Sequence, residues 1–329
     1  MSAVLTPHEE LAAPVPPPGP QPAFFVVMNR GSGKNEKDAV RSAIEDELVR
    51  AGRRHEFVPV EPGEIVKACQ HAAKLAKEQG GVIVASGGDG TINCAAQAAL
   101  THDCPLGVIA QGTFNLFARD LGLPLDAAEA TRALLRAQPE PVQVGLVNEK
   151  VFLVNASVGL YPKLLADREE VKQKLGRRRW IAMLAALKSL MEWRLKLVLD
   201  SEMDGELVKL RTASVFLCNN RVQLERVGIQ DFVIDQLDEG RMACLLVPQM
   251  RWWSKLGMLA SAAFGSLGAQ RRIQSFPLRS LTVTARNARR LRVATDGEVQ
   301  YMELPLRFTV SPRPLRVMLP PAGERLPRK

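Results

Sequence analysis

A glycine-rich run, Ser86-Gly87-Gly88-Asp89-Gly90-Thr91, constrains this chain more than any other stretch because of what flanks it. Gly81 to Ala85, just before it, is the short apolar run that a buried parallel strand needs. Thr91 to Leu100 is rich in Ala and lacks Gly and Pro, so a helix can start at once. A strand, three glycines and a helix N-terminus direct backbone N–H groups towards one point, where the helix dipole favours an anion. The run therefore predicts a phosphate-binding loop, although a tight turn that needs positive φ would use glycines in the same way.

Two further segments repeat this pattern of strand, glycine loop and helix. The apolar run Ala23 to Met28 leads into Asn29-Arg30-Gly31-Ser32-Gly33-Lys34, and a helical pattern follows. Pro105 to Ala110 leads into Gln111-Gly112-Thr113-Phe114-Asn115, again followed by a helical segment. Three such units within about a hundred residues predict a doubly wound α/β domain, whose ligands bind at the carboxyl ends of the strands. The sequence has neither the G-x-x-x-x-G-K-[ST] spacing nor a G-x-G-x-x-G motif that opens a helix after a strand.

The second half of the chain is predicted to be rich in strands. Leu195 to Leu199 and Leu207 to Leu217 flank Asp204-Gly205, a strong hairpin signal, and a helical segment, 169–193, precedes this hairpin. These patterns predict a Pro-rich disordered arm over 1–22, an α/β domain over 23–141 and a β-rich, sandwich-like domain over 142–310. Further strands are expected at 242–247, 281–285, 291–294, 306–310 and 315–319.

Four motifs, in a fixed order along the chain, carry a resemblance to a known family. They are Asn29…Gly31-Ser32-Gly33-Lys34, Gly87-Gly88-Asp89-Gly90-Thr91, the segment 112–119 and Asp296-Gly297-Glu298. In this order they resemble the diacylglycerol kinase catalytic family, which includes bacterial lipid kinases, sphingosine kinases and ceramide kinases. The resemblance covers nearly the whole chain apart from its tails. NAD kinases share the glycine loop, whereas its combination with a late Asp-Gly-Glu is much more specific.

The resemblance implies a lipid kinase that uses ATP and Mg2+, with a lipid hydroxyl as acceptor. The Asp-Gly-Glu motif would bring a carboxylate from the second domain to that hydroxyl, and residues 311–325 would return to complete the first domain. Phosphoryl transfer needs mostly positioning and charge neutralisation, plus one carboxylate near the proton of the nucleophile. The residues expected at the nucleotide are Asn29, Ser32, Gly33, Lys34, Gly87, Gly88, Asp89, Gly90, Thr91, Gly112, Thr113 and Asn115.

Two carboxylates compete for the role of general base in this resemblance. Bacterial members are usually assigned the Glu, here Glu298, whereas sphingosine kinases are assigned the Asp of the glycine loop, here Asp89. We expect Glu298 to be the base, with Asp89 and Asp296 organising the ATP-bound Mg2+ and water. Because Asp-Gly is also a strong hairpin signal, a turn without chemistry is the alternative for this motif.

The chain departs from the family pattern at several positions. Arg30 stands where family members commonly have a Pro, and Gln143 stands where they usually have an Asp. In bacterial members that Asp is assigned to a network with the Asp of the glycine loop, here Asp89, and the Lys here numbered Lys34. The segment 221–230 lacks a glycine-rich stretch, and Val233-Ile234-Asp235 replaces Pro-Asp-Ala. Some relatives hold a structural Mg2+ in that region, and with these replacements the presence of such a site here stays open. A degenerate kinase fold that binds nucleotide or lipid as a regulator therefore stays open, as does an NAD kinase.

The charge balance bears on the partners. The chain has a formal net charge of +9, with basic residues beside Trp at Arg177-Arg178-Arg179-Trp180 and Arg251-Trp252-Trp253. Such segments suit an anionic membrane surface, although a solvated basic face is the alternative. We expect peripheral association with the inner membrane surface from the cytoplasm, and a homodimer stays open. No nucleic-acid partner is expected, because no RNA- or DNA-binding motif accompanies the basic residues.

Targeting and metal-binding signals add little. No basic stretch followed by an apolar one opens the chain, and no apolar run is long enough to span a bilayer, so we expect neither a signal peptide nor a membrane span. The five Cys show no C-x-x-C spacing and are expected to be reduced and buried. The four His are scattered without the spacing of metal ligands.

Overall fold

The structure, a computed structural model, describes residues 21–28, 34–61, 63–159, 197–203, 206–226, 228–248, 274–285 and 288–328. Within these ranges the strands form two sheets, one of six strands and one of eleven. The predicted helix at 169–193 and the basic segments around Trp180 and Trp252 lie outside the described residues. None of the helices in the described ranges is long and apolar enough to cross a membrane.

The first sheet contains the three predicted strand-and-loop units. Its strands are β1 (Phe24–Met28), β2 (His55–Val58), β3 (Val82–Gly87), β4 (Leu106–Ala110), β5 (Gln138–Val142) and the late strand β17 (Leu315–Leu319). Their order is β2-β1-β3-β4-β17-β5, with only the β5–β17 pair antiparallel. Pro139 and Pro141 of β5 have no backbone N–H to donate, which suits a strand at the sheet edge. β17 thus returns the chain to the first sheet, as the family resemblance implied.

Helices cover both faces of this sheet. They are α1 (Lys34–Arg50), α2 (Ile65–Glu78), α3 (Asp89–His102), the short α4 (Leu116–Asp120) and α5 (Ala127–Arg136). Alternate strand residues face opposite layers: Phe25 and Ile83 pack in the core with α2 and α3, and Phe24 and Val82 pack in the core with α1 and α5. This period of two explains why the strands are apolar throughout: both of their faces are buried.

The second sheet is antiparallel and has β8 (Asn155–Gly159), β10 (Glu206–Cys218) and β14 (Arg290–Thr295) near one end. Its other strands are β6 (Gly145–Val147), β7 (Lys150–Phe152), β9 (Leu197–Met203), β11 (Met242–Pro248), β12 (Gln274–Leu278), β13 (Ser280–Ala285), β15 (Glu298–Glu303) and β16 (Leu306–Val310). The strand order is β15-β14-β8-β10-β9-β13-β16-β6-β7, with β11 paired to β10 and β12 to β11. Two short α-helices, α6 (Arg221–Arg226) and α7 (Asp231–Asp235), follow β10.

Each strand predicted in the second half overlaps an observed one, so the α/β fold class with a β-rich C-terminal part is confirmed.

Candidate active site

The glycine loop joins β3 to α3 through a single residue, Gly88. β3 ends at Gly87 and α3 begins at Asp89, so the N-cap residue is Gly88, which is extended at φ −80° and ψ 179°. The first backbone N–H groups of a helix have no partner within the helix, and they point out of its N-terminus. A Cβ atom on Gly87 would lie 2.7 Å from Oγ1 of Thr91, which is buried. Thr91 therefore packs on the loop and fixes its shape, beside any contact that it makes to a ligand.

The third loop lies directly against the glycine loop. A Cβ atom on Gly112 would lie 2.8 Å from the Cα atom of Gly88, so the two backbones approach closely. Asn115 closes the loop: its Oδ1 accepts from the N–H of Gly112 at 2.8 Å and its Nδ2 donates to the Gly112 carbonyl at 2.9 Å. Its backbone is left-handed at φ 51°, a conformation that Asn tolerates better than most residues. The Asn115 side chain, predicted at the nucleotide, thus shapes the loop, while Thr113 is exposed at its tip.

Asp89 links the two loops. Its Oδ2 accepts a hydrogen bond from the backbone N–H of Asn115 at 3.1 Å. Burial raises the pKa of Asp89, and backbone N–H groups of Asn115, Leu116 and Phe117 partly oppose this rise. Its Oδ1 is buried and has no hydrogen-bond partner among the described residues. The carboxylate therefore holds the start of α4 with one oxygen, and its other oxygen is left without a described partner.

Asp296 lies in the β14–β15 hairpin, so the predicted turn is present and the carboxylate has a further role. Asp296 and Gly297 both have positive φ, 47° and 90°. Oδ1 accepts from the backbone N–H groups of Val154 and Asn155, each at 2.9 Å. Oδ2 accepts from the N–H of Leu153 at 2.8 Å and from Nδ2 of Asn93 at 2.6 Å. Burial raises the pKa of Asp296, and these four N–H donors oppose the rise.

This hairpin carries Glu298 to the glycine loop. A Cβ atom on Gly90 would lie 3.2 Å from Oε1 of Glu298, so the carboxylate sits over the first turn of α3. Oε2 lies 3.7 Å from Nζ of Lys150, and the Glu298 side chain is 62% exposed. Cys94, one turn further along α3, lies near enough for Glu298 to raise the pKa of its thiol, although burial is the larger cause. The structure thus joins the second and fourth sequence motifs at one place.

The first loop is only partly described. Asn29, Ser32 and Gly33 lie outside the described residues, and Lys34 is the first residue of α1, with a side chain that is not described. Because β1 lies parallel to β3, the end of β1 at Met28 lies at the same sheet edge as the glycine loop. The predicted contribution of these four residues therefore stays a prediction.

Gln143, the main departure from the family pattern, points to the second sheet. Its Nε2 donates to Oδ1 of Asn219 at 2.5 Å and to the Arg241 carbonyl at 2.9 Å. Asn219 returns the contact by donating Nδ2 to the Gln143 carbonyl at 2.9 Å. Both side chains therefore tie the first sheet to β10, and the described contacts of Gln143 do not include Asp89.

An arginine, Arg221, pairs with carboxylates in the region where some relatives hold a structural Mg2+. Nη2 of Arg221 lies 2.7 Å from Oδ2 of Asp238, and Nη1 lies 3.5 Å from Oδ1 of Asp235. A guanidinium thus neutralises the carboxylates at the end of α7. Among the described residues, no group of three or more His, Cys, Asp or Glu side chains is placed to hold a metal ion.

Two residues of the site, Asn93 and Lys150, belong to none of the four sequence motifs. Asn93 follows the glycine loop on α3, and besides Asp296 its Nδ2 donates to the Val151 carbonyl at 3.1 Å. Lys150 opens β7 and contributes the ammonium nearest Glu298. Neither lies in a recognisable motif, because each acts through a partner that is distant in sequence. The one available signal was the position of Asn93 two residues after Thr91, on the helix that the loop starts.

Comparisons with known proteins bear on the family and the fold. Residues 23–147 match the family model of the diacylglycerol kinase catalytic domain. The chain is 31% identical over 255 residues to a "Probable lipid kinase YegS-like" protein of Pseudomonas aeruginosa (strain UCBPP-PA14), covering 75% of this chain and 79% of that protein. A protein of the same name from Klebsiella pneumoniae (strain 342) is 32% identical over 162 residues, covering 47% of this chain and 52% of that protein.

The chain spans about half the length of several of the curated relatives that it matches. The crystal structure of a diacylglycerol kinase from Bacillus anthracis str. Sterne superposes with a TM-score of 0.64, covering 92% of this chain and 98% of that one. At 19% identity this likeness is one of fold. The motifs, the family model and the Pseudomonas relative together establish that the chain belongs to the diacylglycerol kinase catalytic family.

Proposed function

We propose that this protein is an ATP-dependent lipid kinase that transfers the γ-phosphate of ATP to a lipid hydroxyl. The observation that carries the proposal is the place of Glu298, 3.2 Å from a Cβ position on Gly90. A carboxylate beside a phosphate-binding loop repels the phosphates, so its place there favours a role in the reaction over one in nucleotide binding. Phosphoryl transfer to a hydroxyl does need one, since the nucleophile must lose its proton.

The loops suit a triphosphate for two physical reasons. The start of α3 offers free backbone N–H groups and the positive end of a helix dipole. Gly88 and Gly112 approach too closely for a side chain on Gly112, so the floor of the site is bare backbone. We propose that this floor binds the phosphates, with the predicted first-loop residues 29–34 at its flank.

The two aspartates are proposed to differ in role. Asp89 has one buried oxygen without a described partner, which suits a metal ion or a water bound to ATP. Both oxygens of Asp296 already accept two hydrogen bonds each, so we assign Asp296 to holding the hairpin and not to the metal. A divalent ion such as Mg2+ would neutralise charge that develops on the phosphates.

Glu298 is proposed as the general base. Its side chain is 62% exposed and lies at the loop, where a hydroxyl from a bilayer could reach it. Asp89 is half-buried and accepts a hydrogen bond from the N–H of Asn115 at the start of α4, which leaves it less free to approach an acceptor. In the proposed step the hydroxyl oxygen bonds to the γ-phosphorus, the bond to the leaving ADP oxygen breaks, and the hydroxyl proton passes to Glu298.

The acceptor is proposed to lie in a membrane, since a lipid hydroxyl is presented at a bilayer surface. Exposed Arg289 and Arg290 add charge to the second sheet, and the Trp-bearing basic segments lie in the same half of the chain. Such groups would dock the protein on anionic lipid from the cytoplasm without a membrane span.

One experiment separates the candidate activities. The full chain is incubated with γ-labelled ATP and Mg2+ in three parallel reactions: mixed lipid vesicles, NAD, or no acceptor. We expect label in the organic phase of the vesicle reaction alone. Label transferred only to NAD would replace the lipid kinase with an NAD kinase. Nucleotide binding without any transfer would identify a regulator, the alternative that Gln143 raised.

A further inference from the structure

A second cleft, of about 640 Å³, lies at the opposite edge of the first sheet. It is lined by residues at the amino ends of β1, β3 and β4, including Phe24, Val82 and Pro105. In a parallel sheet the amino ends and the carboxyl ends lie at opposite edges, and β3 is six residues long. The cleft is therefore roughly 20 Å from the glycine loop. The proposed kinase reaction does not use it.

Arg53 is a buried cation at this cleft without a described counterion, which favours an anionic ligand. The residue is only 9% exposed, yet it makes no ion pair with any described carboxylate. Its Nη1 and Nη2 donate to the carbonyls of Pro22 and Leu135 at 3.2 and 3.4 Å, and its guanidinium lies 4.8 Å from the ring centre of Phe24. Its Nε is buried and has no partner in the described part of the chain. A buried charge without a counterion is costly, so such a group is usually paired.

The other charged side chains at the cleft also carry more positive than negative charge. Lys77 Nζ lies 3.0 Å from Oδ2 of Asp103, and Arg316 Nη2 lies 3.1 Å from Oδ1 of the same residue. Two cations therefore share one carboxylate, whose pKa they lower. With Arg53, the lining carries three positive charges and one negative charge. Leu134 and Met318 form an apolar part of the wall of the cleft.

We propose that this cleft binds a small organic phosphate, with Arg53 as its buried counterion. The volume lies within the range of about 300–1,000 Å³ that is typical of small-molecule sites. A guanidinium fork and a nearby ammonium match phosphate oxygens in charge and geometry. The apolar wall at Leu134 and Met318 suits the organic part of such a molecule, which inorganic phosphate lacks.

A site-resolved footprint tests the proposal without any kinase reaction. Phenyl phosphate is the probe, benzyl alcohol is the neutral control, and acetylation of lysines by an amine-reactive reagent is followed by mass spectrometry. Lys77 lines the cleft, whereas Lys74, one turn earlier on α2, is exposed and pairs with Glu78. We expect phenyl phosphate to slow acetylation of Lys77 about threefold when its free concentration is about twice Kd. Lys74 should be unaffected, and benzyl alcohol should protect neither lysine.

Two substitutions locate the bound anion. Arg53→Met should abolish the protection of Lys77, whereas Arg54→Met, at the exposed neighbour that contacts Gln79, should keep it. Unchanged protection in folded Arg53→Met would overturn the proposal. So would wild-type protein in which phenyl phosphate protects Lys77 and Lys74 equally or protects neither. The wild-type result stands on its own if Arg53→Met does not fold. Protection that persists in Asp89→Ala would show that the cleft, and not the nucleotide site, holds the probe.

Discussion

Asn93 of α3 donates a hydrogen bond to Oδ2 of Asp296 across 2.6 Å, although the two residues are 203 positions apart. One turn along the same face of α3, Gln97 accepts from the N–H of Val151 at 2.8 Å and donates to the Glu149 carbonyl at 3.2 Å. The helix that begins at the glycine loop is therefore fastened to the hairpin that carries Glu298. Through this contact, the relative position of loop and carboxylate is set by the fold and not by a flexible linker.

Asp296→Asn should destabilise the protein strongly. Each carboxylate oxygen accepts from two N–H groups, so an amide NH2 at either position would face two donors. Leaving a buried donor unpaired costs about 1–3 kcal/mol, and two such losses predict a fall of roughly 2–6 kcal/mol in the free energy of unfolding. Urea unfolding measures the change. Glu298→Gln, two residues along the same hairpin, is the control and should lose less than about 0.5 kcal/mol. Equal stability of the two variants would contradict the role assigned to Asp296.

Gly112→Ala should damage the site by pushing its loops apart. The added Cβ would lie 2.8 Å from the Cα of Gly88, and backbone cannot yield as a side chain can. Overpacking of this kind costs about 1–3 kcal/mol. Affinity for ATP should fall as well, since the floor of the proposed phosphate site is deformed. Gly323→Ala, where a Cβ meets nothing within 4 Å, should change neither quantity. Unaltered stability and ATP affinity in Gly112→Ala would refute the close approach of the two loops.

The titration of Asp89 should change how the free energy of unfolding depends on pH. Burial raises its pKa in the folded protein above the ordinary value of 3.8, so the folded state keeps the proton to higher pH than the unfolded chain. The stability that this proton contributes is fully present below pH 3.8 and is lost as the pH rises through the raised pKa. Asp89→Asn removes the effect. The unfolding free energy of Asp89→Asn minus that of the wild type should therefore increase above pH 3.8 and then level off. A difference that decreases over this window would mean that the fold lowers the pKa of Asp89.

Local patterns were enough to predict three parallel strands of the first sheet, seven strands of the second half and the glycine loop between β3 and α3. Val82 to Ala85 is apolar because both faces of β3 are buried. The helix was predicted from Thr91, where no Gly or Pro follows as far as Leu100, and in the structure it begins two residues earlier at Asp89. Periodicity reports burial, and burial is what forms these elements. The hairpin at Asp296-Gly297 was equally visible, since positive φ at both positions demands such residues.

The contacts that assemble the site could not be predicted in this way. The sequence predicts Asn115 at the nucleotide, and only the structure shows that its side-chain amide makes two hydrogen bonds to the backbone of Gly112. Gln143 reads as a lost carboxylate, and only the structure pairs it with Asn219. Arg221 reaches Asp238 across 17 positions, a pairing that no motif indicates. Each of these depends on a partner that no local pattern specifies, because the tertiary fold brings the pair together.

Binding to anionic vesicles should depend on the basic residues of the second half. The full chain should sediment with anionic vesicles at low salt and less at high salt, because the Debye length falls to about 3 Å at 1 M. Burial of Trp side chains should leave a residual part that resists salt. Arg251→Glu should weaken binding, whereas Arg54→Glu, in the first domain, should not. Equal and negligible binding to neutral and anionic lipid would count against a membrane substrate.

Glu298 is proposed to take the proton of the acceptor hydroxyl. This role is tested by comparing Glu298→Gln with Glu303→Gln, a change at an exposed Glu at the other end of β15. ATP affinity and phosphoryl transfer are measured side by side on the same preparations. An amide cannot accept the proton, so Glu298→Gln should keep ATP affinity and lose turnover by about a hundredfold or more. Glu303→Gln should match the wild type in both quantities. Turnover near the wild-type rate in folded Glu298→Gln would contradict the account, and a collapse of ATP affinity instead would move the base to Asp89.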